Sequence, residues 1–366
     1  MKKVAHLTSV HYRYDTRIFL KQCASLSANG FSVSLIVADG RGNECVNNLT
    51  IVDVGSSKSR LDRILNAPNK VLLKAIEIDA DIYHLHDPEL IPIGIKLKKL
   101  GKKVIFDAHE DVAKDILSKT YLKGTQKIIS RLYSFYERWA CKRFDIVIAA
   151  TPHIRDNYIA IGVNSIDINN YPLLGELAVN EINWSLKEKK VCYVGDITRI
   201  RGFLQAVEAM GLVNSDIKLQ LVGKFSDVEA EILAQEMVGW SNIQVLGFLG
   251  RKEVSQVLEH CVAGLVNFLP SPNHIDAQPN KMFEYMSAGV PLIASDFPLW
   301  KTIVEENSCG ICINPLDSGE IAAAIDYLIN NPLEAEKMGR NGQEAVEKKY
   351  NWLIEEKKLL DVYKNL

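Results

Sequence analysis

Apolar runs of strand length, separated by stretches of helical periodicity, recur in two series along this chain and constrain its fold more than any other feature. The first series occupies 4–8, 31–38, 51–54, 81–85, 103–107 and 145–149, with helix-like stretches at 16–29, 61–78, 89–100 and 111–142. The pattern breaks at Asn169, Asn170 and Pro172, and then restarts at 191–194, 217–222, 243–246, 264–268, 291–294 and 310–313. Strands that alternate with helices predict parallel sheets covered on both faces, with ligands beyond the C-terminal strand ends. Two doubly wound α/β domains are therefore expected, residues 1–172 and 173–352, followed by an amphipathic helix at 353–366.

The 366 residues, 47% hydrophobic and 24% charged, suffice for two domains. No apolar run approaches about 18 residues, and MKKVAHLTSVHYRYD lacks the apolar core of a signal peptide, so a cytoplasmic protein is expected. Seven cysteines at irregular spacing argue against a disulfide framework, and Cys309–Cys312 reads as a buried strand entering a turn. Charge is unevenly divided: residues 1–172 carry 25 Lys and Arg against 18 Asp and Glu, while the remainder carries 18 against 27. A basic half suits nucleic acid, anionic lipid or a phosphorylated acceptor. No nucleic-acid-binding module is recognisable, which counts against the first. Residues 114–145 interleave Lys119, Lys123, Lys127, Arg131, Arg138, Lys142 and Arg143 with Tyr121, Tyr133, Phe135, Tyr136 and Trp139. That pattern fits a membrane interface, or a solvated helix with one buried aromatic face.

Candidate site residues follow the strands. After the first, Asp15 and Arg17 open a helix; Arg17 is placed to approach a diphosphate, or is a solvated neighbour of a capping aspartate. HLHDPEL supplies His84, His86, Asp87 and Glu89, and invites a metal reading. No further ligand stands at a fixed spacing, which favours structural or acceptor-site roles. FDAHED supplies His109 and Glu110. Asp79-Ala80-Asp81 imitates a metal-binding DxD but precedes its strand, and reads as a turn. No GxGxxG follows either first strand, so a nicotinamide dehydrogenase loses its main support. VGDITRIRGF instead offers Arg199 and Arg201, and QLVGKFSD offers Lys224. In DAQPNKMFEYMSAGVP, Asn280 caps a helix 281–288 that Gly289 stops. Lys281 and free N–H groups then stand at the helix start, suited to phosphate, and Glu284 one turn in is suited to ribose hydroxyls. Asp276 lies eight positions before Glu284. The plainer reading is an amphipathic helix with Met282, Phe283 and Met286 inward.

PNKMFEYMSAGVPLIAS resembles the signature segment of retaining GT-B glycosyltransferases, the family-four group that builds bacterial polysaccharides. The resemblance implies a GT-B fold, two Rossmann-like domains facing across a cleft, with the last helix crossing back onto the first domain. It implies metal-independent, cofactor-free transfer from a UDP- or GDP-sugar. His109 and Asp276 would act at the donor sugar, Glu284 at the ribose, Arg199, Arg201 and Lys224 at the diphosphate, and Phe248 at the base through its backbone. A lipid-diphosphate-linked acceptor, as in O-antigen or capsule assembly, would place the protein at the inner face of the cell membrane. Three departures stand out. Asp276 replaces the first glutamate of the motif, Asp196 occupies the place of an arginine, and the Gly-Gly pair is missing from HLTSVHYRYDTRIF. A non-hydrolysing sugar-nucleotide epimerase and a silent transferase-like partner are the rival readings.

Overall fold

A computed structural model describes residues 1–118, 124–177, 183–214 and 216–366. Lys119, Tyr121 and Lys123, counted above in the aromatic-basic stretch, lie outside the described residues. The chain divides into two units, Met1–Asn170 with Trp352–Leu366, and Tyr171–Asn351.

Unit 1 is built on eight strands: β1 (Lys3–Leu7), β2 (Ser32–Val37), β3 (Glu44–Val46), β4 (Leu49–Asp53), β5 (Ile82–Leu85), β6 (Lys103–Ala108), β7 (Ile146–Ala149) and β8 (Ser165–Asp167). Their order is β3-β4-β2-β1-β5-β6-β7-β8, parallel except for the β3–β4 pair. The sequence pattern omits β3 and β8, each only three residues long. The β3–β4 hairpin turns on Asn47 and Asn48, at φ 50° and 65°. Asparagine tolerates this left-handed backbone better than most residues, so Asn-Asn between ECV and LTI was the missed signal. The order reverses between β1 and β5, the point at which doubly wound sheets bind ligands beyond their C-terminal strand ends.

The expected helix 111–142 is described as two pieces, Val112–Ser118 and Gln126–Cys141. Gly124, at φ 86°, stands before the second. The C-terminal helix Trp352–Asn365 belongs to unit 1. Its Trp352 Nε1 donates to Ser25 Oγ at 2.9 Å, and its Glu355 carboxylate accepts the Asn169 N–H at 2.8 Å. Trp352, Leu359 and Tyr363 are buried. Each such side chain contributes roughly 1.5–3 kcal/mol.

Unit 2 holds β9 (Glu188–Val194), β10 (Lys218–Val222), β11 (Ile243–Gly247), β12 (Cys261–Val266), β13 (Leu292–Ser295) and β14 (Gly310–Ile313). They form an all-parallel sheet in the order β11-β10-β9-β12-β13-β14, which reverses between β9 and β12. Buried on both faces, β12 is apolar throughout (CVAGLV). The unit begins two residues before the expected boundary, because the Tyr171 ring packs on Phe283 and Tyr350 at 4.7 and 5.3 Å. Burial pushes the Cys309 thiol up to about 12 and Cys312 up to about 11, which keeps both protonated and unreactive.

Candidate functional site

In unit 2 the site is assembled at the C-terminal end of β9. The chain leaves the strand through Gly195 at φ 113°, passes a short helical turn Arg199–Arg201, and reaches Gly202 at φ 76° before the helix Phe203–Met210. Gly202 is required twice over: its backbone is left-handed, and a Cβ there would lie 1.9 Å from the Asn267 carbonyl oxygen. Gly195 has room. A Cβ on it would meet Lys281 Cε at 3.7 Å and Arg201 Nη1 at 3.9 Å, so two cationic side chains line the same glycine turn.

Lys281 is the unusual member. It is buried, its Nζ sits 3.6 Å from the Tyr193 ring centroid and 5.2 Å from that of Phe268, and no hydrogen-bond partner reaches it among the described residues. Burial, and next the Arg201 charge, hold its ammonium well below the ordinary lysine range. Arg201 lies over Phe268 at 5.4 Å. An unpartnered buried lysine beside a guanidinium and a bare glycine backbone has the chemistry to take an anion with several oxygens.

The helix Asn280–Ser287 begins one residue earlier than expected. Pro279 is its cap and supplies no side-chain hydrogen bond to the helix start, and exposed Asn280 is the first helical residue rather than the cap. Glu284 lies one turn in and accepts from Arg251 Nη1 at 2.7 Å, while Arg251 Nε donates to Glu176 at 2.8 Å. Arg251 and Glu176 were missed, since an arginine opening a helix after β11 reads as solvated. Asp276 stands half-buried in the preceding turn, Phe248 is 86% exposed, and Lys224 is exposed.

Two expected diphosphate ligands have partners within their own units. Arg199 turns to Asp227 at 3.3 Å and Glu229 at 3.7 Å, so its charge is already paired. In unit 1, Arg17 is 4% exposed, and its guanidinium is consumed by both Asp107 oxygens (3.0 and 2.7 Å) and the Ile168 carbonyl (2.7 Å). Its role is to hold Asp107. Asp196, in the place of an arginine, is bonded to Ser226 Oγ.

The other polar cluster of unit 1 stands where β1, β5 and β6 end. His6 pairs with His84 across the β1–β5 register, and His86 and His109 follow just beyond β5 and β6. His109 Nε2 lies 3.3 Å from both His86 Nδ1 and Asp107 Oδ2, with its side chain 20% exposed. Burial alone would raise the Asp107 carboxyl, but the Arg17 guanidinium overrides it and holds the group well below the usual range. Glu110 is exposed at the same strand end. Asp87 accepts from Thr8 Oγ1, Ser9 N–H and Ser9 Oγ, and fixes the loop after β1. Asp79 and Asp81 sit at the opposite, N-terminal end of β5, bonded to Lys102 and the Lys3 N–H, as a turn requires.

Residues 16–169 match the model of Glycosyltransferase Family 4, and residues 176–345 that of Glycosyl transferases group 1. The chain is similar to phosphatidyl-myo-inositol mannosyltransferase of Mycobacterium leprae, 21% identical over 307 residues covering 80% of this chain and 75% of the relative. Sucrose-phosphate synthase from Thermosynechococcus elongatus shares the fold at TM-score 0.82 and 18% identity, over 100% of this chain and 99% of that one. HepE of Anabaena, solved in complex with UDP-glucose, does so at TM-score 0.77 and 16% identity, over 100% of both chains.

Proposed function

The chain belongs to the GT-B glycosyltransferases, and from that premise we propose that it moves a sugar from a UDP- or GDP-sugar, with retention and without a metal ion, onto a lipid-diphosphate-linked glycan of a bacterial surface polysaccharide. The observation that carries the reading is the Lys281–Arg201 pair at the Gly195 turn. Lys281 and Arg201 hold the donor diphosphate and stabilise its charge as it departs, the task a metal ion performs elsewhere. Glu284 binds the ribose, with Arg251 and Glu176 fixing its carboxylate. Asp276 addresses the donor sugar. The anomeric carbon–phosphate bond breaks through an oxocarbenium-like state, the acceptor oxygen bonds on the face the diphosphate leaves, and the acceptor proton passes to that phosphate.

Support for the lipid acceptor comes from the helix Gln126–Cys141. Ile128, Leu132, Phe135 and Trp139, spaced by four, three and four residues, are 63%, 66%, 74% and 41% exposed. Lys127, Arg131, Arg138, Lys142 and Arg143 accompany this apolar stripe, and Arg143 stacks on Trp139 at 4.0 Å. An apolar stripe flanked by cations suits an anionic bilayer surface. The named lipid of the mycobacterial relative points the same way. Among the described residues no helix is long and apolar enough to cross a membrane.

Thermal melting with UDP, GDP and dTDP, each with and without EDTA, tests the donor site. One nucleotide at about 100 times its dissociation constant should stabilise by about 2.7 kcal/mol, unchanged by EDTA. No shift with any of the three would remove the donor reading, and a shift abolished by EDTA would remove metal independence. The anomeric configuration of the product, read by NMR, decides retention.

A further inference from the structure

Four groups from three parts of unit 1 form one hydrogen-bonded relay. His84 Nδ1 meets Tyr363 Oη at 2.7 Å, Tyr363 Oη meets His6 Nε2 at 3.2 Å, and His6 Nδ1 meets His86 Nε2 at 2.9 Å. Both ends converge on Asp107 Oδ2, His84 Nε2 at 3.7 Å and His86 Nδ1 at 3.3 Å. Burial first, and neighbouring histidines after it, hold His6 and His84 well below the ordinary imidazole range; burial likewise lowers His86 to about 3. All three imidazoles are therefore neutral. A neutral imidazole carries one N–H and a tyrosine one O–H. Four protons serve three contacts, one each, so the fourth must stand at one end. Moving it from end to end inverts every tautomer together: either all three histidines are Nε2–H, or all three are Nδ1–H.

The surroundings choose. Asp107 is ionised, and its Oδ2 already accepts from Arg17 Nε at 3.0 Å and Gln22 Nε2 at 2.8 Å. Buried His84 Nε2 has no hydrogen-bond partner among the described residues. As a lone pair it would face only the carboxylate, with no donor to meet it; a lone pair at His86 Nδ1, although 3.3 Å from the same carboxylate oxygen, has His109 Nε2 at 3.3 Å to donate to it. The proton therefore stands on His84 Nε2, and His86 turns a lone pair at Nδ1 toward His109 Nε2. That nitrogen then meets two acceptors, His86 Nδ1 and Asp107 Oδ2, and must itself carry hydrogen.

We infer that His84, Tyr363, His6 and His86 act as one positioning relay that fixes the hydrogen of His109 at Nε2, leaving Nδ1 as the hydrogen-bond acceptor. No described residue supplies a partner to that Nδ1. The group it fits is a sugar hydroxyl, which can donate, rather than a carboxylate, which cannot. This choice of substrate rests on the reading that His109 faces the donor sugar; the tautomer does not.

Nitrogen-15 NMR of histidine-labelled protein at pH 8 reads each ring directly. The wild type should show His6, His84, His86 and His109 all as Nε2–H. Any of them Nδ1–H, or His109 doubly protonated, overturns the relay. Tyr363→Phe removes one oxygen and leaves the ring to pack. His6 Nε2–H then loses its acceptor, so His6 and His86 should invert together to Nδ1–H, with melting confirming the fold. Inversion of one alone, or of neither, overturns the coupling. Melting with UDP-glucose against UDP-glucuronic acid should favour the hydroxyl sugar, and an equal or larger shift with the acid overturns the acceptor assignment. If the four tautomers stand but no nucleotide shifts melting, the transferase reading fails and the relay survives; the converse result sinks the relay alone.

Discussion

Lys281 opposes the stability of unit 2 without an anion, because a buried ammonium with no partner costs more than the burial of its stem returns. Lys281→Met keeps the length and removes the charge. The variant should melt higher than wild type without ligand, by about 1–3 kcal/mol, and lose the nucleotide shift. A lower melting point together with a retained shift would show that the ammonium has a partner and no anion. The same residue sets a pH dependence. Its native pKa is depressed, so between that value and the ordinary lysine range the unfolded chain binds more protons, and ligand-free stability rises with pH across the window. Diphosphate calls for the charged form. Binding should therefore take up a proton and weaken as pH rises through the window. Calorimetry in two buffers of different ionisation enthalpy measures that proton; equal heats would mean none is taken up. Lys281 was legible as a residue at a helix start, but its burial was not, since Tyr193 and Phe268 reach it from separate strand ends. Arg17 misled for the converse reason. Its partner Asp107 lies 90 residues away, and local pattern carries no information about such a pair.

The helix Gln126–Cys141 has two different faces. Inward, Tyr133 Oη donates to Glu137 at 2.9 Å and Ser130 Oγ donates to the Ala113 carbonyl at 2.7 Å; outward lies the apolar stripe. Burial raises the Glu137 carboxyl to about 7, the Tyr133 and Tyr158 hydroxyls offsetting only part of it. A raised carboxyl binds its proton more tightly in the folded state. Its stabilising contribution is complete at low pH and is lost as pH rises from the ordinary glutamate range through about 7. Glu137→Gln should thus be more stable than wild type at pH 8 by about 3 kcal/mol and nearly equal to it at pH 4, since each tenfold difference in proton affinity between the folded and unfolded chain is worth about 1.4 kcal/mol. Denaturant melts at the two pH values check this, and an equal difference at both would place the effect elsewhere. Elements of this kind were largely legible in sequence: twelve of the fourteen described strands exceed three residues, and the α/β alternation follows from their apolar runs. The short strands β3 and β8 were not legible, because three residues give no periodicity to read. The relay was also hidden. His6 looks like one polar residue in an apolar strand, and Tyr363 lies 279 residues from His84.

Across the whole molecule a net charge of -2 predicts no attraction to an anionic membrane, whereas 25 basic against 18 acidic residues in the first 172 does. Local charge governs, because screening confines each field to about 10 Å at 0.1 M salt. The exposed apolar stripe and the buried Lys281 lie in different units, so lipid and nucleotide binding should be separable by mutation. Leu132→Glu with Phe135→Glu should abolish sedimentation with vesicles containing phosphatidylglycerol and leave the nucleotide melting shift intact. Lys281→Met should do the reverse. Wild-type sedimentation should weaken steeply between low and high salt, and fail on purely zwitterionic vesicles, since each basic residue near the surface contributes only about 1 kcal/mol and the stripe alone is short. Vesicle binding that survives the double charge substitution would assign the helix Gln126–Cys141 to another partner. Loss of both activities in either variant would mean that the two units do not act independently.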